Sequence, residues 1–150
     1  MERTLVLVKP DGVQRGLVGS VIQRFEDKGL QIAGLKLMRV SDDLARQHYG
    51  EHVGKSFFEG LLSFITSSPV VAIAIDGEGA IAVVRAMMGE TNPAKASSGT
   101  IRGDFGIDFG LNIVHGSDGL ESAEREVSLF FDADELIDYE RAIQAWITVE

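Results

Sequence analysis

Three features of this sequence predict an α+β fold: two halves that each read strand–helix–strand, a helical stretch between them, and apolar runs short enough to be strands. The order β-α-β, helical insertion, β-α-β, then helices is the split, ferredoxin-like βαββαβ arrangement. It implies a four-stranded antiparallel sheet with helices on one face and its first and third strands central. A single domain over residues 1–150 would hold it, and that length buries roughly two-thirds of the unfolded chain's surface.

Residues 4–8 are aliphatic and β-branched, and Lys9-Pro10-Asp11-Gly12 gives a turn signal. Val18, Val21, Ile22 and Phe25 recur at helical spacing before Gly29, and residues 30–40 alternate as a second strand. Ser41-Asp-Asp opens a short helix through Leu44, Ala45 and His48. Ser56 and Glu59 have the spacing of a capping box, ahead of a helix with Phe57, Leu61, Leu62, Phe64 and Ile65. Residues 70–75 are continuously apolar, as a central strand is. Residues 80–88 form another helix, stopped by Gly89. Residues 89–111 show little periodicity, and an irregular stretch of that length in a compact domain is usually functional. A short strand at 112–115 follows. Asp118 and Glu121 then have the spacing of a helix start, and Asp132 with Glu135 that of a second acidic cap.

The formal net charge of −9 argues against a nucleic-acid-binding face. Yet between Glu78 and Asp104 the chain has Arg85, Lys95 and Arg102 against only Glu90, which suits a small anion. No cysteine is present, so disulfides and thiolate chemistry are excluded. The N-terminus is too short in apolar residues for a signal core or membrane span, so a soluble, cytoplasmic protein is expected.

Two motifs invite other readings. Gly77-Glu-Gly79-Ala-Ile-Ala82 matches a dinucleotide fingerprint, but position 97, where the ribose acid belongs, is Ser. It reads as a tight strand–helix turn. His48-Tyr-Gly-Glu51-His52 matches an inverted zinc-hydrolase pattern, though Gly50 weakens the helix and no third ligand follows at helical spacing. No G-x-x-x-x-G-K-[ST] is present, so a bound phosphate must be held by discrete side chains. Lys9, Arg85, Thr91, Arg102 and Asn112 are the candidates. His115 ends a strand before a Gly-Ser-Asp turn and faces a helix bearing Glu126, the arrangement of a reactive histidine and its carboxylate orienter.

Asn112-Ile-Val-His115-Gly-Ser-Asp118 closely resembles the active-site signature of the nucleoside diphosphate kinases. The likeness also covers Val8-Lys9-Pro10-Asp11-Gly12-Val-Gln-Arg-Gly16, His48-Tyr49, Phe57-Phe58, Gly89-Glu-Thr91-Asn-Pro93, Gly99-Thr-Ile-Arg102-Gly-Asp104 and Glu124-Arg-Glu126 before Leu129-Phe-Phe131. The resemblance implies that His115 takes the γ-phosphoryl group from a nucleoside triphosphate and passes it to a diphosphate, by a ping-pong mechanism with broad base specificity. Neutral imidazole has the free lone pair this needs.

Glu126 would then fix the tautomer of His115, and Ser117 would hold Glu126. Lys9, Tyr49, Arg85, Thr91, Arg102, Asn112 and Gly116 would surround the phosphates and ribose. Phe57, Leu61 and Phe109 would meet the base. Mg²⁺ would bridge the phosphates, with Asp118 assisting through a water. A homo-oligomer is implied, a hexamer or else a tetramer or dimer. The competing readings are a non-catalytic nucleotide-binding or regulatory module of the same fold, and the zinc hydrolase. Ser56 and Ser98 stand where the family often has proline, Gly119 where it often has serine, Leu111 where it is usually polar, and Phe109 where a smaller aliphatic is usual.

Overall fold

A computed structural model describes residues 1–149. Its elements in chain order are β1 (Glu2–Val8), α1 (Pro10–Gln14), α2 (Val18–Asp27), β2 (Gln31–Met38), α3 (Asp42–His48), α4 (Phe58–Thr66), β3 (Val70–Gly77), α5 (Ala80–Met88), α6 (Ile101–Phe105), β4 (Val114–Gly116) and α7 (Leu120–Phe130), with three short 3₁₀ turns. The strands form one antiparallel sheet in the order β2-β3-β1-β4, so the first and third strands are central as expected.

The helices pack on both faces of the sheet, not one. Leu5, Leu7, Ala72 and Ala74 meet Leu62, Ile65, Val127 and Phe130 from α4 and α7. Val6, Val8, Ile73 and Ile75 meet Val21, Phe25, Val84 and Met88 from α2 and α5. The physical reason lies in the central strands. Residues 4–8 of β1 and 70–75 of β3 are buried at every position, so alternate side chains on both faces need cover.

Local signals fared unevenly. Lys9-Pro10-Asp11-Gly12 is the start of α1, because proline at the first helical position gives up an N–H that would be unpaired anyway. Ser41 caps α3 by accepting the Leu44 N–H, as expected. The Ser56–Glu59 box does not form: α4 begins at Phe58 with Phe57 as its uncapped N-cap, and Glu59 lies 3.8 Å from Arg46 instead. The irregular stretch contains α6, whose cap Thr100 accepts the Gly103 N–H. Gly89, at φ 84°, closes α5 in a conformation that favours glycine. The start of α7 is shifted by one residue: Gly119 is its N-cap and donates its N–H to Ser122 Oγ, replacing the Asp118–Glu121 pair. Asp132 and Glu135 do cap, through the Asp132 N–H to Glu135 Oε1 at 2.8 Å.

Candidate active site

The short strand β4 brings His115 opposite Leu7 of β1. Just before it, Ile113 has φ 73°, a conformation rare for a β-branched residue and costing about 1–3 kcal/mol. Its surroundings hold it there. The Ile113 N–H donates to Asp11 Oδ2 at 2.9 Å, and its carbonyl accepts the Lys9 N–H at 2.8 Å. The helix start that resembled a turn thus fixes the backbone two residues ahead of the histidine.

His115 Nε2 lies 2.7 Å from Glu126 Oε1, and the Ser117 hydroxyl donates to the same oxygen at 2.8 Å. Burial raises the Glu126 pKa, but the hydrogen bond and charge of His115, then Ser117, outweigh it and bring it below its ordinary value. The carboxylate is therefore an acceptor, so Nε2 carries the ring proton and Nδ1 has the lone pair. Ser117 is fully buried and locked to β1: its N–H donates to the Leu5 carbonyl at 3.1 Å and its Oγ accepts the Leu5 N–H at 3.3 Å. Every member of the chain Leu5–Ser117–Glu126–His115 is positioned by another.

A cleft of about 760 Å³ opens from this histidine. At its inner end Lys9 Nζ donates to Asn112 Oδ1 at 2.8 Å, and Asn112 Nδ2 donates to the Thr91 carbonyl at 3.1 Å. Arg102 is only 5 % exposed, and it donates to the carbonyls of Asn112, Gly89 and Val114 at 3.2, 3.1 and 2.7 Å. Three of its five donors thus hold the walls of the cleft. Burial, then Arg85, lower the Arg102 pKa to about 10, and burial lowers that of Lys9. Arg85 donates to the Gly116 carbonyl at 3.1 Å. Tyr49, its pKa raised to about 12 by burial and Glu126, lines the same end. Asp118 is exposed at the rim, its pKa lowered by the Ser122 hydroxyl, which donates to it at 2.7 Å.

The outer end is different in kind. Phe57 is 50 % exposed and Phe109 64 % exposed, and both line the cleft with Leu61. Exposed aromatic faces on a cleft wall suit a planar base. All the expected site residues line this one cleft except Ser117, which lies beneath it.

A family model described as nucleoside diphosphate kinase matches residues 2–136. The chain belongs to the nucleoside diphosphate kinase family. Its reaction is the transfer of a γ-phosphoryl group from a nucleoside triphosphate to a nucleoside diphosphate. It is 60 % identical over 147 residues to a nucleoside diphosphate kinase of Desulforamulus reducens, covering 98 % of this chain and 99 % of that one. A second, from Carboxydothermus hydrogenoformans, is 61 % identical over the same shares. Among solved structures, a halophilic nucleoside diphosphate kinase from Halobacterium salinarum in complex with CDP superposes with a TM-score of 0.96 at 53 % identity, covering 99 % of each chain. A transition state mimic of the Borrelia burgdorferi enzyme with bound vanadate and ADP gives 0.92 at 36 % identity over 98 % of each.

In this kinase the zinc-protease pattern is broken by geometry. α3 ends at His48, and His52 sits in the following 3₁₀ turn, Gly50–His52, so the two do not share a helical face. Sequence reasoning missed His48 as a wall of the cleft, packed edge-on to His115 with ring centroids 4.8 Å apart. The available signal was its place with Ala45 on the buried face of α3. Phe64 of α4 also lines the cleft, with its ring centroid 5.4 Å from Lys9 Nζ. The Gly77–Gly79 turn is, as read, a tight strand–helix junction, with Gly79 at φ 58°.

Proposed function

We propose that the transfer runs through a phosphohistidine at His115, with Nδ1 as nucleophile and Glu126 as orienter. The observation that carries this is the 2.7 Å contact of Nε2 with a buried carboxylate, which leaves Nδ1 as the free ring nitrogen of a histidine that lines the same cleft as Lys9, Arg85 and Arg102. As Nδ1 bonds to the phosphorus, the ring becomes cationic, and Glu126 stabilises it through the Nε2 proton. The leaving diphosphate carries away the electron pair of the broken P–O bond. Lys9, Arg85 and Arg102 offset the phosphate charge, with Tyr49, Thr91, Asn112 and Gly116 completing the cradle. The transition state is loose and charge-spread, so placement of these groups supplies most of the rate. The second half-reaction reverses these steps with an acceptor diphosphate.

Phe57, Leu61 and Phe109 receive the base without reading its edges, consistent with broad specificity. Mg²⁺ fits this donor set as an ion held mainly by phosphate and water. Asp118 is a cleft carboxylate with no ion pair among the described residues, suited to a water-mediated contact. When bound, the ion would neutralise charge on the phosphates. We also read residues 1–150 as one domain in a cytoplasmic homo-oligomer, a hexamer or else a tetramer or dimer; the exposed Leu35 and Leu37 on the edge strand β2 support association.

The test is incubation with γ-labelled ATP and Mg²⁺ alone, then with a diphosphate. Acid-labile, base-stable label should appear on the protein, discharge to the acceptor, and be absent from His115→Ala. An unlabelled wild-type chain would refute the phosphohistidine route.

A further inference from the structure

Behind His115 lies a buried polar group that the phosphoryl transfer does not use. His48 is 4 % exposed, and neither of its ring nitrogens has a hydrogen-bond partner among the described residues. It is packed edge-on against His115 and, at 5.3 Å and 89°, against Phe130. Burying polar atoms unpaired is destabilising, a cost a phenylalanine here would not incur. One ligand atom each from His48, His115 and Glu126 lies within 4.8 Å of the other two. The two further ligands that helical spacing could not supply to His48 come from β4 and α7.

Two imidazoles and a carboxylate are the donor set of a His₂Glu zinc site. A neutral imidazole offers one ring lone pair, and no neighbour among the described residues engages either nitrogen of His48. Tetrahedral donors at zinc bond lengths stand roughly 3.3 Å apart, so the widest pair must close by about 1.5 Å at most, while His115 Nε2 and Glu126 Oε1, now 2.7 Å apart, must part by about 0.6 Å.

We propose that His48, His115 and Glu126 form an inhibitory site for a zinc-class divalent ion, separate from the Mg²⁺ carried by the nucleotide. Mg²⁺ is hard and prefers oxygen, so it does not compete there. The ion takes the lone pair of His115 Nε2, whose proton leaves through solvent. The neutral ring keeps one proton, which now sits on Nδ1. No net proton is lost, but the nitrogen that should attack phosphorus has lost its lone pair. The nucleotide cleft itself stays open. Lys9 and Arg125 nearby oppose a dication, which makes this a reversible ion rather than a resident one. The inhibition rests on His115 being the nucleophile; the binding does not.

The experiment uses the full-length chain with Zn²⁺ or Co²⁺ alone, and no nucleotide. We expect one Zn²⁺ per chain by equilibrium dialysis and a tetrahedral Co²⁺ absorption band. After unbound ion is removed, single-turnover labelling by Mg²⁺ and γ-labelled ATP should fall in proportion to bound Zn²⁺. It should recover with chelator, while ATP affinity changes by less than about twofold. His48→Phe should weaken Zn²⁺ binding by at least about tenfold. His48→Gln gives the same readout if the first variant fails to fold, and His52→Ala should bind Zn²⁺ as the parent does. Unchanged binding in the His48 variants, binding lost in His52→Ala, or bound Zn²⁺ without loss of labelling would each overturn the proposal. A metal-free parent that takes no label refutes the phosphohistidine reading instead, and leaves the Co²⁺ band as an independent result.

Discussion

The two ends of the cleft are built by opposite means. At the proposed phosphate end, Ser117, Glu126, Arg102 and Asn112 are buried, and each is tied by hydrogen bonds to backbone or to its neighbours. At the proposed base end, Phe57 and Phe109 stand half or more exposed. The Phe57 ring stands edge-on to His52, with centroids 5.3 Å apart, and the Lys55 ammonium is 5.7 Å from its centroid. The difference teaches where selectivity is spent. A reacting phosphorus requires groups fixed to a fraction of an ångström, because misplacement forfeits the gain from orientation. A base that is only stacked needs a flat apolar surface, and every base has one.

Substitutions at the two ends should therefore differ in kind, and the largest effect belongs to the fixed end. Glu126→Gln keeps an acceptor for His115 and Ser117 but removes the charge. We expect kcat to fall about 100-fold with KM nearly unchanged in steady-state assays. A KM effect of that size would mean that Glu126 serves binding, and the contrast between the ends would fail. At the open end, Phe57→Ala should raise KM about tenfold for purine and pyrimidine nucleotides alike, with little loss of kcat, since stacking is worth about 1–3 kcal/mol. A loss confined to one base class would show that this end does read the base.

Acid should sharpen the contrast through His48, the buried neighbour of the fixed end. Its folded-state pKa is lowered to about 3, against 6.5 for the free group. As pH falls below 6.5 the unfolded chain takes up a proton that the folded one does not. Stability contributed by neutral His48 is thus full above pH 6.5 and declines towards pH 3, by up to about 1.4 kcal/mol per pH unit. His48→Phe should flatten the urea-unfolding slope between pH 6.5 and 4.5, above the range of the lowered carboxylates. An unchanged slope would place the titrating group elsewhere. The smallest effect concerns Gly119. Its backbone is extended and a Cβ there would meet nothing closer than Ser122 Oγ at 3.9 Å. Gly119→Ser should raise stability by a few tenths of a kcal/mol in thermal unfolding. A loss would show that the α7 cap depends on glycine.

Much of this was legible from residue order alone, because the relevant forces act locally. The apolar runs of β1 and β3, the Ser41 cap and the His115 signature depend on near neighbours. The Ser56–Glu59 box and the Asp118–Glu121 pair misled because a capping side chain competes with whatever the fold brings near. Arg46 drew Glu59 away, and Ser122 took both the Gly119 N–H and Asp118. Helices on a second sheet face also escaped notice. A continuous apolar strand says that both faces are buried, but periodicity does not say by which helix.

By itself the sequence determined the βαββαβ order, the position of the proposed nucleophile and its carboxylate, and the absence of a phosphate-binding P-loop. These follow from residue type and spacing. Only the tertiary structure decided that Glu126 takes Nε2 and leaves Nδ1 free, that three donors of Arg102 hold the cleft rather than its contents, and that His48 stands at the back of His115. Each joins elements far apart in the chain. Their distances are set by how the two faces of the sheet are packed, and no local propensity encodes them. The stretch 112–126 holds the proposed reactive pair, and the packing around it decides which ring nitrogen is free.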